Sequence, residues 1–218
     1  MESVHQSWHY EKLAERAITN LRRHGFEALY VADAAAAFQE IMGRIPKGGC
    51  VGMGDSLTLA ELGVIKALEE VGHDFLNPWH PGIAREESLQ RRRTALTADV
   101  FLTGSNAVTL DGKLVNIDGL GNRVAGMVFG PHRVIVVVGA NKLVPNTEQA
   151  LARIKAISAP VNARRHHFPA ATRPPCAETG FCVDCDMPRR ICCNTVIIEG
   201  CREEGRTTVI IVGEALGD

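Results

Sequence analysis

The feature that most constrains this 218-residue chain is residues 98–142, where three short apolar runs alternate with Gly-rich turns. The last run, Val134 to Val138, has five apolar residues in succession, and four of them are valine. Such a run predicts a strand that is buried on both faces, as in a parallel sheet covered by helices. Earlier, Ala107 to Leu110 and Lys113 to Ile117 are joined by Asp111-Gly112, which predicts a hairpin with a type I′ turn.

Strands and helices alternate along the rest of the chain, which predicts an α/β fold with a mostly parallel sheet. Its length fits one domain over residues 1–218, with a small Cys-rich segment, residues 163–201, inside it. Apolar spacing predicts helices at Trp8 to His24, Leu59 to Val71, Arg85 to Ala95 and Pro145 to Ile157, and strands at Phe26 to Val31, His73 to Leu76, Thr195 to Glu199 and Thr207 to Gly213. Residues 163–175 contain three prolines and predict an irregular segment.

Gly-rich and polar residues follow several predicted strands, which is where open α/β sheets bind ligands. The stretch Gly52 to Thr58 lies between a strand and a helix, so its backbone N–H groups could hold an anion. A tight turn with Ser56 as helix N-cap explains the same residues. One arginine of Arg91-Arg92-Arg93 could also reach an anion, although a solvated face is the simpler interpretation. The pair His166-His167 could bind a metal or act as an acid or base, but with no carboxylate nearby in the sequence a surface loop is the simpler interpretation.

Charge and hydropathy exclude several function classes. The formal net charge is −1, whereas a general nucleic-acid binder normally has a strong basic excess. No apolar run approaches the ~20 residues of a membrane helix. The polar N-terminus has no signal-peptide core, so we expect a cytoplasmic protein, whose thiols stay reduced.

Six of the seven cysteines lie between Cys176 and Cys201, and in a reducing compartment such clustering predicts a metal site. Thiolates select zinc, copper(I) or iron–sulfur clusters. Cys182 and Cys185 form a C-x-x-C pair whose sulfurs can reach one ion or cluster. The alternative is a set of buried free thiols. The predicted ligands are Cys176, Cys182, Cys185 and Cys192; Cys50, Cys193 and Cys201 are predicted core residues, with Cys201 a reserve ligand.

Four segments together resemble one known family, the LUD domain of lactate utilization proteins. They are GMGDSLTLAELGV, TGSNAVTLDGKLVNIDGLGNRVAG, GPHRVIVVVGANKLV and the tail PCAETGFCVDCDMPRRICCN. The resemblance covers about residues 10–215, and the tail is similar to that of the short, single-domain members. It implies a three-layer α/β sandwich of the NagB/RpiA/CoA-transferase-like kind, with the ligand over Gly-rich loops. The catalytic acids of the isomerases and the CoA-transferase glutamate have no match here.

By position in those loops, the resemblance implies a set of ligand-binding residues: Gly52, Gly54, Ser56, Thr58, Gly104, Asn106, Gly119, Gly121, Asn122, Gly139 and Asn141. For catalysis, Arg123 or Lys142 would hold a carboxylate, and Asp118 or Asp55 would move a proton. Each has a structural alternative. Arg123 could form a buried salt bridge, Asp118 an Asx turn, Asn106 and Asn122 turn caps, and Lys142 could face solvent.

Three functions remain open. In the first, the domain binds a small carboxylate or phosphate beside a [4Fe–4S] cluster and takes part in oxidising a hydroxy acid, as the family's role in oxidising L-lactate with iron–sulfur partner subunits implies. In the second, three cysteines leave one iron open as a Lewis acid for a lyase or hydrolase reaction. In the third, zinc stabilises a binding or regulatory module without turnover. Substrate, independent activity and self-assembly into a homo-oligomer are left open.

Overall fold

The computed structural model describes residues 4–218, so residues 1–3 of the predicted domain lie outside the described residues. Six strands form a central sheet in which every neighbouring pair is parallel, in the order β1-β10-β7-β4-β2-β3. These strands are β1 Glu27–Val31, β2 Cys50–Met53, β3 Asp74–Leu76, β4 Val100–Thr103, β7 Arg133–Gly139 and β10 Thr207–Val212. The predicted mostly parallel sheet is therefore confirmed.

Helices cover this sheet on both faces. The α-helices of the described chain are α1 Val4–Arg23, α2 Ala34–Arg44, α3 Leu57–Glu61, α4 Val64–Val71, α5 Arg85–Thr94, α6 Asn122–Val128, α7 Thr147–Arg153, α8 Ala159–Arg165 and α9 Cys176–Thr179. The last three pack outside the two cores of this sheet. Within residues 4–218, no helix is long and apolar enough to span a membrane.

Alternate residues of β7 enter two different hydrophobic cores. Val134, Val136 and Val138 pack with α1 on one face of the sheet. Ile135 and Val137 pack with α2, α3 and α4 on the other face. Because successive strand residues point to opposite faces, the uninterrupted apolar run fills both cores, as the sequence predicts.

Four further strands form a second, mixed sheet in the order β8-β5-β6-β9. They are β5 Ala107–Thr109, β6 Leu114–Asp118, β8 Leu143–Val144 and β9 Asn194–Ile198. The β5–β6 hairpin is confirmed, but its type I′ turn is not. Gly112 has a φ of 86°, whereas Asp111 is not in the left-handed region, and Thr109 N–H bonds to the Lys113 carbonyl. This is a three-residue loop closed by a glycine, which needs only one positive φ.

Two segments differ from the sequence prediction. The helix expected over Leu59 to Val71 is divided into α3 and α4 at Gly63, whose φ of 73° breaks the helical path. The segment expected to be irregular from residue 163 is helical through Arg165, because α8 follows α7 through a π-helical turn, Ile154–Ser158. That extension places Arg165 and His166 beside the sheet edge described next.

Candidate functional site

A cavity of about 310 Å³ opens where strands β2, β4 and β6 end, and Lys142 reaches it from the turn after β7. This is the edge at which open α/β sheets bind ligands, and the volume is in the range of small-molecule pockets. Of the residues predicted for the site, the following line the cavity: Asp55, Ser56, Gly104, Asn106, Asp118, Gly119, Asn122, Arg123, Lys142 and Cys192.

The other predicted ligand-binding residues do not line the cavity but support the residues that do. Thr58 accepts a hydrogen bond from Lys142. Gly54 has no room for a Cβ, because the Arg123 side chain lies against it. The remaining ones pack against the turn Ala95–Thr97, the Asn194 side chain or the C-terminal residues 214–216; they are Gly52, Gly121, Gly139 and Asn141.

Arg123 occupies the buried position that the salt-bridge alternative describes. The residue is 8 % exposed, with Nε 3.5 Å from Asp118 Oδ2. The two terminal nitrogens donate to Asn116 and Asn106 and to the carbonyls of Ile117 and Gly104. Burial lowers the pKa of Arg123, and Asp118 opposes that change. Because protein acceptors use this guanidinium, its main role is to join the loops.

Asp118 has a structural role in its turn, as the alternative predicts, but the bond is not that of an Asx turn: Oδ1 accepts from Gly121 N–H, three residues on, at 2.8 Å. Ser56 is the N-cap of α3, as the alternative interpretation predicts, and accepts from Leu59 N–H at 3.2 Å. Asn106 also connects turns, since its Oδ1 accepts from Ile117 N–H at 3.0 Å. These side chains therefore build the loops that line the cavity.

Lys142 is buried, so the solvent-facing alternative is wrong. Its ammonium donates to Thr58 Oγ1 at 3.1 Å and lies 3.9 Å from Asp218 Oδ1. Burial lowers the pKa of Lys142 to about 8, with Asp218 acting in the opposite direction. The lysine is therefore a cation of the cavity whose charge can change near neutral pH.

Asp55 meets two residues that the sequence prediction did not include. Its Oδ2 accepts hydrogen bonds from Arg165 Nη2 and from His166 Nε2, the latter at 2.8 Å. Burial opposes ionisation of this carboxyl, but the bonds from His166 and Arg165 outweigh it and lower the pKa of Asp55 to about 2. His166 lies in a partly exposed loop after α8, as expected, but it has a carboxylate partner that the sequence did not indicate, because Asp55 is 111 positions away.

Arg92 is another cation of the cavity that was not among the predicted site residues. It lines the cavity with its guanidinium 5.0 Å from the centre of the Trp79 ring, a cation–π arrangement. Its Nε is buried and has no partner within residues 4–218, and the same is true of Arg165 Nε. A buried donor without a partner costs ~1–3 kcal/mol, and more when charged. Both residues line the cavity, so two guanidinium groups lie at its wall.

The four predicted ligand cysteines line one small second cavity: Cys176, Cys182, Cys185 and Cys192. Burial raises the pKa of Cys192 to about 11, and the other three cysteines add to that shift. Thiolates are the soft ligands that zinc and iron–sulfur clusters select, so the residue types in this cavity suit such a group. Within residues 4–218, no group of three or more His, Cys, Asp or Glu side chains is arranged to hold a metal ion.

Arg190 organises the loop that contains these cysteines. It donates to the Cys185 carbonyl at 2.9 Å, to the Cys192 carbonyl at 3.1 Å and to Asp184 Oδ1 at 2.9 Å. Cys192, Ile191 and Ala159 line both cavities. The thiol-lined cavity and the basic cavity are therefore neighbours that share a wall.

Comparison with known proteins identifies a family and a similar fold. The family model of the LUD domain matches residues 14–212. A crystal structure described as a DUF162 family protein from Deinococcus radiodurans is similar in fold, with a TM-score of 0.53 and 15 % sequence identity over 93 % of this chain and 97 % of that chain. No curated protein matches the chain.

Proposed function

This chain belongs to the LUD domain family, and from that premise we propose that it binds a small 2-hydroxy carboxylate beside a cysteine-held [4Fe–4S] cluster and takes part in its oxidation. The single observation that carries this proposal is the position of Cys192, which lines both the cavity with the four thiols and the cavity with the basic side chains. A ligand in one cavity is therefore adjacent to a metal in the other.

The carboxylate of the ligand is bound by cations of the larger cavity. Arg92 and Arg165 both line this cavity, and a guanidinium binds a carboxylate through charge-assisted hydrogen bonds. Lys142 adds a third positive charge when it is protonated. Arg123 is not part of this set, since its guanidinium bonds to protein groups.

The four cysteines Cys176, Cys182, Cys185 and Cys192 would hold the cluster. When bound, a [4Fe–4S] cluster supplies a one-electron carrier whose potential depends on the surrounding charges and hydrogen bonds. Arg190 contributes to those surroundings by fixing the carbonyls of two of the ligands. The overall oxidation breaks the O–H and Cα–H bonds, forms C=O, and releases two protons and two electrons. The electron acceptor is an iron–sulfur partner protein.

Anaerobic purification followed by ligand titration tests the proposal. We expect about four irons and four sulfides per chain, visible absorption, and a spectral change on adding L-lactate. Cys192→Ser should lower the iron content, whereas the neighbouring Cys193→Ser, an exposed residue, should retain it. Colourless protein with one zinc per chain would overturn the proposal in favour of a zinc-stabilised module.

A second candidate function is a non-redox lyase or hydrolase reaction assisted by an open iron. One observation favours it: Asp55 and His166 form a hydrogen-bonded pair in the cavity, and such reactions require proton transfer. The two functions differ in whether electrons leave the substrate. Product formation from a 2-hydroxy acid without reduction of any added one-electron acceptor would favour this second function over the first.

A further inference from the structure

We infer that His166 is the group that accepts the hydroxyl proton of the substrate, with Asp55 as its positioning residue; this inference rests on the proposed function. The reacting nitrogen is Nδ1. The O–H bond of the substrate breaks, its electron pair stays on oxygen, and the proton bonds to Nδ1 to give an imidazolium. No electron leaves in this step, so it requires no oxidant.

The pairing with Asp55 determines which nitrogen of His166 is available. An ionised carboxylate can only accept hydrogen bonds, so the 2.8 Å contact requires that Nε2 of the imidazole carries a proton. Neutral histidine has one protonated nitrogen, which leaves Nδ1 as an acceptor. No hydrogen bond to Nδ1 forms within residues 4–218, although the residue lines the cavity and its side chain is 30 % exposed.

Neighbouring groups hold the ring in this orientation. The Phe168 ring meets it edge-on with centroids 6.1 Å apart. The His166 backbone N–H bonds to the Asn162 carbonyl at the end of α8, so the backbone of the residue is also fixed. Asp55 stabilises the imidazolium that forms, while Arg165, on the same carboxylate oxygen, keeps that carboxylate ionised.

Other proton acceptors of the cavity are already engaged. Asp118 accepts from the N–H groups of Gly121 and Val124 and lies against Arg123. Asp218 lies beside Lys142. Asp55 itself accepts hydrogen bonds from Arg165 and His166, and its low pKa makes it a poor base. Among the described residues, His166 therefore combines an unpartnered nitrogen with a position on the cavity wall.

The test compares His166→Gln with His167→Gln as a matched control, because His167 is the exposed neighbour. The glutamine amide can still donate to Asp55 but cannot accept a proton. With L-lactate as the probe and an added one-electron acceptor, we expect kcat to fall by about 100-fold or more in His166→Gln. Its Kd for L-lactate should stay within about threefold, and His167→Gln should match the parent protein. A kcat for His166→Gln within about threefold of the parent would overturn the inference.

A measurement without turnover separates this inference from the proposed function. In protein with nitrogen-15-labelled histidine, the His166 imidazole should have its proton on Nε2, and Asp55→Asn should shift the proton towards Nδ1 because an amide can donate. A parent protein with the proton on Nδ1 would contradict the inference whatever the substrate. If the tautomer is as expected but L-lactate neither binds nor reacts, the proposed function fails and the pairing of His166 with Asp55 stands.

Discussion

The ammonium of Lys142 donates a hydrogen bond to the hydroxyl of Thr58 across 3.1 Å, although the two residues are 84 positions apart in the sequence. The lysine is only 4 % exposed. Desolvation therefore disfavours its charged form and lowers the pKa of Lys142 from 10.5 to about 8, against the opposing effect of Asp218. The charge that Lys142 offers to an anion is consequently present below that pH and lost above it.

Anion binding should thus weaken as pH rises through about 8. Where the Lys142 charge is required, the Kd for L-lactate should increase by about tenfold for each pH unit above the pKa, until the remaining cations set a limit. Calorimetric titration across this range measures the effect. Lys142→Arg retains a charge at every pH used and should give a flatter profile. Equal slopes for the two proteins would mean that another group titrates.

The anion anchor is predicted to be Arg92. Arg92→Met should raise the Kd for L-lactate by about tenfold to a hundredfold, because a charge-assisted hydrogen bond contributes ~1.5–3 kcal/mol. Arg93→Met is the matched control, since Arg93 is the exposed neighbour on α5. If both substitutions change the Kd equally, the effect is one of general charge rather than of the position of Arg92 in the cavity wall.

The loop of the ligand cysteines should depend on Arg190. Arg190→Ala removes the hydrogen bonds to the Cys185 and Cys192 carbonyls, so we expect faster loss of iron to a chelator under anaerobic conditions. Arg189→Ala is the control, because Arg189 is the adjacent, exposed arginine and the structure describes no hydrogen bond from its guanidinium. The release rate is followed by visible absorption. Equal rates for the two variants would remove Arg190 from this role.

Arg123 should matter for folding more than for binding. Arg123→Met leaves Asp118 without its buried countercharge and several carbonyls without a donor, so the free energy of unfolding should fall by ~3–5 kcal/mol. Arg202→Met, on the surface, should change it by less than ~0.5 kcal/mol. Urea unfolding followed by circular dichroism gives both values. A small loss for Arg123→Met would indicate that the guanidinium serves a ligand instead.

Local sequence patterns determined much of the fold. The apolar run Val134 to Val138 predicts a strand buried on both faces, because side-chain direction alternates residue by residue and needs no distant partner. Gly-rich turns that follow the strands also predict a site at the edge of the sheet, because the carboxyl ends of parallel strands lie together. Four cysteines of the tail lining one cavity is also consistent with their short spacing.

Tertiary structure decided the chemistry of the candidate site. The contact between Asp55 and His166 joins segments 111 residues apart, and neither segment contains a signal for the other. Local sequence likewise does not distinguish Arg92 from Arg91 and Arg93; only the folded chain does. Nor does it indicate that the β5–β6 hairpin and β9 belong to a separate sheet. Periodicity and turn residues act over a few positions, whereas burial, ion pairing and orphaned donors depend on which distant segments pack together, and that is fixed only when the whole chain has folded.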